Sequence, residues 1–184
     1  MKSVIKTPRL TLSVLDAKWS EKICQYYIDN RDFLESWEPY RHNSFYTIDT
    51  QKIALELDYQ GMIRGEMIRF WIIEDETEEI IGSVALTNII KGVFKSCYLG
   101  YKLSKKHINL GYMTESIQAV INYAFDEMYL HRIEANIMPR NFASIRVVEK
   151  LGFEFEGCSK QYLKINGIWE DHNRYALLNT SLSD

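Results

Sequence analysis

The sequence predicts a mixed α/β (α+β) fold, in which a mostly antiparallel sheet of about seven strands is flanked by helices. Three observations predict it. Three strand-like runs in mid-chain are separated only by Asp75–Glu79 and by Lys91-Gly92, connections short enough to favour antiparallel neighbours. Ile117, Val120, Ile121, Ala124, Phe125 and Met128 recur with the helical period of a buried stripe. Asn166-Gly167 stands between two long runs as a two-residue hairpin turn.

The elements follow in order. Leu10, Leu12 and Val14 alternate with polar residues, which predicts a first strand over Arg9–Val14. Asp16 caps a helix to about Ile28, with Ile23, Tyr26 and Tyr27 on one side. An aromatic-rich loop, Phe33–Tyr46, leads to a second helix that starts near Asp49 or Thr50 and runs to about Gln60 or beyond. Met67–Glu74, Ile80–Ile90 and Phe94–Leu103 are the three central strands. The strongly periodic helix follows, with His131-Arg132 at its end, where a cation suits the negative end of the helix dipole. Ile133–Met138 reads as a short strand. Asn141 then caps a helix to Leu151, with Gly152 as its left-handed stop. Phe153–Ile165 and Ile168–Leu178 form the terminal hairpin, so the order is β α α β β β α β α β β.

Composition narrows the function. With 184 residues, 46% hydrophobic and 26% charged, the chain suffices for one domain, residues 1–184, with a single core. No apolar run approaches the roughly 18 residues of a membrane span, and Pro8 and Arg9 break the start before a signal-like stretch forms. The expectation is therefore no membrane partner. A net charge of −3 argues against direct nucleic-acid binding. Cys24, Cys97 and Cys158 are odd in number and far apart, and the four histidines are scattered. The reading is reduced thiols, a cytoplasmic protein and no metal site. Nothing in the sequence addresses oligomeric state.

Two helix starts carry candidate chemistry. Tyr101-Lys102-Leu103 deliver the chain through Ile108, Asn109, Leu110, Gly111, Tyr112 and Met113 into the strong helix. The amides at such a terminus are free donors with partial positive charge, suited to a pyrophosphate, and Gly111 allows close approach. It is neither a Walker loop nor a dinucleotide fingerprint, since the required glycines and lysine are missing. Taken alone, a glycine before a helix is a common cap. Asn141 and Ser144 open the next helix but one element later, where two helix starts can emerge side by side at one edge of a mixed sheet. Asn141 as a plain N-cap explains the same residues.

Seven blocks then carry a resemblance: NRDFLESWEP at Asn30–Pro39, CYLGY at Cys97–Tyr101, HRIEANIMP at His131–Pro139, Asn141 with Ser144, KLGF at Lys150–Phe153, Glu156-Gly157, and YLKINGIWEDH at Tyr162–His172. Together they resemble the GNAT N-acetyltransferase superfamily and, within it, the Rim-type ribosomal-protein N-terminal acetyltransferases, nearest the alanine-specific branch. The resemblance implies acetyl-CoA as co-substrate. The backbone of Tyr101, Lys102 and Leu103 would pair with the pantetheine arm, and the amides from Ile108 through Asn109, Leu110, Gly111 and Tyr112 to Met113 would hold the pyrophosphate. Asn141 would hydrogen-bond near the thioester, and Ser144 would protonate the departing thiolate.

The sequence also departs from that pattern. Ile108 stands where the superfamily's loop has Gln or Arg, and Met113 where it has Gly or Ala. Val148 replaces a frequent Tyr, and Leu163 replaces a carboxylate proposed as base in the serine-specific branch. A missing base matters less for an α-amine, with a pKa near ~8, than for a lysine at about 10.4. That favours the N-terminus of a protein as acceptor. A small amine, such as a polyamine, amino acid or antibiotic, is the alternative acceptor, and a non-catalytic acetyl-CoA-binding module is the alternative function. Glu38, Asp171 and His172 are candidate proton relays, and a structural role is the first reading of each. Trp37, Glu38 and Tyr40, with Tyr162, are the candidate acceptor groove. Trp37 packing the first two helices on the sheet, and Glu38 simply solvated, are the competing readings.

Overall fold

The computed structural model describes residues 2–181. Its strands are β1 (Val4–Lys6), β2 (Leu10–Ser13), β3 (Ile68–Glu74), β4 (Ile80–Ile90), β5 (Ser96–Leu103), β6 (Arg132–Ile137), β7 (Glu154–Ile165) and β8 (Ile168–Leu178). The helices are α1 (Ser20–Asp29), α2 (Arg31–Leu34), α3 (Ile48–Arg64), α4 (Tyr112–Asp126) and α5 (Phe142–Lys150). One sheet in the order β1-β2-β3-β4-β5-β6-β8-β7 holds all eight strands. Every pairing is antiparallel except β5 with β6.

The expected sheet is recovered with one strand more than the seven read from the sequence. The extra strand, β1, is three residues long, too short for an alternation to register, and it pairs with β2 through Ile5↔Leu12. Asp16 caps a single 3-10 turn rather than the α-helix itself, its carboxylate accepting from the Lys18 amide at 3.0 Å, and α1 begins only at Ser20. His131-Arg132 does not cap the strong helix, which ends at Asp126. Arg132 instead opens β6 and pairs with Glu134 and Glu156. The aromatic loop takes in the end of α2 and a 3-10 turn over Asn43–Tyr46.

Helices cover both faces of the sheet. On one face α4 turns Ile117, Val120, Ile121 and Ala124 onto Phe70, Val84, Leu86 and Ile133, and α5 adds Val148. On the other, Ile23, Tyr26 and Tyr27 of α1 and Leu55 of α3 meet Trp71. Phe70 and Trp71, adjacent on β3, point to opposite faces, and both are buried. Burial on both sides explains why Phe70–Ile73 reads as a continuous apolar run rather than an alternation.

The feature that makes room for a site is the one parallel pair. β5 and β6 are in register only from Ser96↔Arg132 to Tyr98↔Glu134. Beyond that, β5 stays with β4 as far as Gly82↔Leu103, while β6 follows β8 to Ile137↔Asn173. The two strands separate and a cleft opens between them. Gly82 lets β5 lie close on the other side: a Cβ there would sit 2.3 Å from the Lys102 carbonyl oxygen. Among the described residues no helix is long and apolar enough to cross a membrane.

Candidate active site

The cleft has a volume of about 590 Å³ and runs between the separated strands and the starts of α4 and α5. Tyr101, Lys102, Leu103, Ile108, Asn109, Gly111, Tyr112, Met113, Asn141 and Ser144 line it, as do Trp37 and Glu38. Residues 43 and more positions apart in sequence therefore share one cavity. Leu110, Tyr40 and Tyr162 are not among its lining residues: Leu110 is held from outside through its carbonyl, Tyr40 is 68% exposed, and Tyr162 stands behind His172.

One end of the cleft is made of backbone. Asn109 (φ +63) and Gly111 (φ +82) are both left-handed, a conformation that costs a side chain other than Gly or Asn. None of the amides from Ile108 to Thr114 donates to a protein acceptor among the described residues, and α4 has no side-chain cap. α5 differs: Asn141 Oδ1 accepts from the Ser144 amide at 3.1 Å. An uncapped helix start inside a cleft, with donors unspent, fits a pyrophosphate. Arg146 and Lys150, one turn apart on α5, add positive charge to the same lining. Their i, i+4 spacing on a helix face is the sequence signal for this pair.

Side chains brace that loop from behind. Arg9 donates to the Leu110 carbonyl at 3.0 Å, pairs with Glu115 at 2.7 Å and stacks 4.4 Å over the Tyr112 ring. Burial alone would push the Glu115 carboxyl up. Hydrogen bonds from Thr7 and Arg9, with the Arg9 charge, outweigh it and hold the group below the usual carboxylate range. Glu74 is likewise held low by hydrogen bonds from the Tyr112 hydroxyl, at 2.5 Å, and from Thr77. Nothing in local sequence marks Arg9 for this, because its partners lie about a hundred positions away.

The other end is made of side chains. Trp37 belongs to neither hydrophobic cluster; it faces the cleft with the Arg140 guanidinium 5.0 Å from its ring centroid. Glu38 is not solvated. Its carboxylate pairs with Lys102 and, at 3.8 Å, with Arg41, and the Lys102 ammonium also donates to the Tyr27 hydroxyl at 3.3 Å. Arg140 ties this loop to the hairpin through the Ser36 carbonyl and Glu170. Asp171 lies outside the cleft lining, held low by the Lys160 ammonium and the Gln161 amide. Between the two ends sit Ser144 and Tyr101, whose hydroxyl donates to the Ser144 carbonyl at 3.0 Å. Burial pushes the Tyr101 phenol far above its ordinary value, so it is a hydrogen-bond donor and not a base. Val148, at the position of the superfamily's frequent Tyr, is fully buried in the core. Leu163 is exposed on β7, and Phe33, Leu34, Asn136 and Met138 also line the cleft. No cluster of three His, Cys, Asp or Glu able to hold a metal occurs among the described residues.

The site is thus a splayed mixed α/β sheet with an uncapped helix start at the split. Residues 9–154 match the family described as "Acetyltransferase (GNAT) domain", and the chain belongs to that family. It is 42% identical over 151 residues to the "Probable N-acetyltransferase YjcK" of Bacillus subtilis (strain 168), covering 82% of this chain and 83% of that one. It is 35% identical over 173 residues to the [ribosomal protein uS5]-alanine N-acetyltransferase of Escherichia coli (strain K12), covering 94% and 89%. Among solved structures, the ribosomal-protein-S5-alanine acetyltransferase from Vibrio fischeri superposes with a TM-score of 0.94 at 30% identity, covering all of both chains. Mycobacterium smegmatis RimJ in complex with CoA-disulfide gives 0.89 at 25% identity over 95% of this chain and 84% of that one. The chain is an acyltransferase.

Proposed function

We propose that the protein transfers the acetyl group of acetyl-CoA to the α-amino group at the N-terminus of a ribosomal or other protein. The observation that carries this reading is the single cleft with two chemically different ends: unspent backbone donors at residues 108–114, and an aromatic and charged wall at Trp37 and Glu38. The relatives named for uS5 alanine acetylation and the CoA-bound RimJ structure support it.

Acetyl-CoA supplies an activated acetyl thioester. The loop amides from Ile108 to Met113 bind the diphosphate, and the edge of β5 along Tyr101, Lys102 and Leu103, left without a strand partner by the divergence from β6, pairs with the pantetheine amides. Asn141 fixes the start of α5, and its remaining donor capacity faces the thioester end. A β5 amide on that edge steadies the oxyanion formed when the amine attacks. The Ser144 hydroxyl meets the thiolate as it leaves. Trp37 and Glu38 receive the acceptor, with Tyr40 and Tyr162 extending the groove beyond the lining. An α-amine is neutral often enough near pH 7 for a weak base to suffice. Three cysteines, odd in number and far apart in sequence, support a cytoplasmic setting.

Mass spectrometry of an acetylation panel tests this reading. A peptide with a free N-terminal Ala should gain one acetyl group at its α-amine, ahead of an N-blocked lysine peptide and ahead of polyamines, amino acids and aminoglycosides. Turnover confined to small amines, or binding of acetyl-CoA with no transfer at all, overturns it.

A further inference from the structure

One side chain in the β8 wall of the cleft has a basic nitrogen with no partner. His172 is 4% exposed and lines the cleft. Its Nδ1 lies 3.1 Å from the Glu170 carbonyl oxygen. A carbonyl only accepts, so Nδ1 carries the hydrogen, and in the neutral ring the lone pair is then on Nε2. Nε2 has no hydrogen-bond partner among the described residues, and it is not one of the sealed, unpartnered polar atoms of the interior. A nitrogen that is neither bonded nor sealed opens on the cleft.

The local backbone holds the ring there. β7 pairs with β8 through a register shift between Ser159 and Leu163, where Gln161 adopts φ +46. Within that bulge the Gln161 amide and the Lys160 ammonium both engage Asp171, which turns Asp171 to the outer side. Strand alternation then aims the next residue, His172, the other way. Tyr162 covers its ring at a centroid distance of 5.3 Å, and burial pushes the Tyr162 phenol up, so Tyr162 stays neutral.

The charged groups around this wall have partners already. On β8, Glu170 pairs with Arg140, Asp171 with Lys160 and Arg174 with Glu156; across the cleft Glu38 pairs with Lys102 and Arg41. Asn136 on β6 does not titrate. The imidazole is left as the basic group of this wall with no ion-pair partner, the charge of the adjacent Asp171 being taken up by Lys160.

We propose that His172 is the general base of the transfer, a proposal that rests on the α-amine reading above. Nε2 takes one proton from the acceptor's ammonium, directly or through one water. The amine nitrogen then bonds to the acetyl carbon; as the carbon–sulfur bond breaks, the nitrogen gives up its second proton to solvent, and the departing thiolate takes a proton from solvent or from Ser144, which regains its own from solvent. The imidazolium returns its proton to solvent, so protons and electrons balance with no further reactant.

The test is single-turnover transfer to an N-terminal-Ala peptide by wild type and His172→Gln between pH 6.5 and 9.5. Acetyl-CoA binding by calorimetry should be unchanged within about twofold. At pH 7 the variant should be slower by about 10²-fold, the lower end of what general bases contribute. That ratio should shrink above the amine's own pKa, about 8, where the acceptor arrives already neutral. A merely structural histidine would cost the same factor at every pH. A pH-independent ratio, or a loss below about threefold at pH 7, overturns the proposal. His172→Asn takes the place of the Gln variant if the latter does not fold. Wild type inert toward peptide N-termini refutes the acceptor reading instead, and the same ratio is then measured on whichever amine wild type turns over.

Discussion

At one end of the cleft the chain offers its backbone, and at the other its side chains. The amides of Ile108 to Thr114 and the free edge of β5 depend on two left-handed residues, Asn109 and Gly111, and on where strands begin and end. The wall at Trp37, Glu38 and Arg140 depends on ion pairs and stacking that join α2's loop to β5 and to the terminal hairpin. The first construction tolerates many side chains so long as the path of the chain is kept. The second is set residue by residue. A ligand that is the same for a whole family suits the first, and an acceptor that differs between members suits the second.

The largest expected effect breaks the backbone end. Gly111→Glu should weaken acetyl-CoA binding at least about 100-fold by calorimetry, since it brings a negative charge to the phosphate loop. A Cβ there stands 3.4 Å from Arg9 Nη2 at φ +82, so the apo protein should also lose about 1–2 kcal/mol. Gly111→Asn, which accepts the left-handed conformation without the charge, should keep most of the binding. Equal losses in both variants would mean that conformation, not the phosphate, decides at this position.

A middle-sized effect tests whether the two ends are separable. Glu38→Gln leaves the Lys102 ammonium, whose side chain is only 15% exposed, without its carboxylate. Thermal denaturation should show a loss of about 1–3 kcal/mol, and Glu38→Gln combined with Lys102→Met should recover part of it. KM for the acceptor peptide should rise severalfold while acetyl-CoA affinity stays within about twofold. A parallel fall in both affinities would show that the ends are coupled through β5.

The smallest effect sits at the junction. Ser144→Ala leaves the Asn141 cap intact, because that cap uses the Ser144 amide and not its hydroxyl. If the hydroxyl protonates the thiolate, single-turnover rates should fall by less than about 10²-fold with KM for acetyl-CoA nearly unchanged. A rise in KM alone, equivalent to about 0.5–1.5 kcal/mol, would make it a binding residue of the backbone end.

The same division explains what the sequence revealed. The backbone end was legible because it rests on long periodic elements and on one glycine before a helix: the stripe from Ile117 to Ala124 locates α4, and Asn141 and Gly152 bracket α5. The parallel contact of Ser96–Tyr98 with Arg132–Glu134, which opens the cleft, had no local signature. Nor did the bracing of the loop by Arg9, or the pairing of Glu38 with Lys102 64 positions away. The composition around Trp37 fits core and groove alike; only its absence from the packed clusters separates them. β1 is too short to leave a pattern, and the periodicity of α4 does not show that it ends at Asp126, five residues before His131.

The divergence of β5 from β6 has a further consequence, readable in the exchange of amide protons with solvent. Along Leu99–Leu103 alternate amides bond to β4, and those between them point into the cleft with no strand to receive them. The first set exchanges only when the sheet opens; the second is exposed in the native state itself. A bound chain whose own amides run along that edge slows the second set without bending the strand. Its footprint is then an odd–even pattern of protection on five residues, as though the sheet kept a place for a ninth strand that arrives from solution.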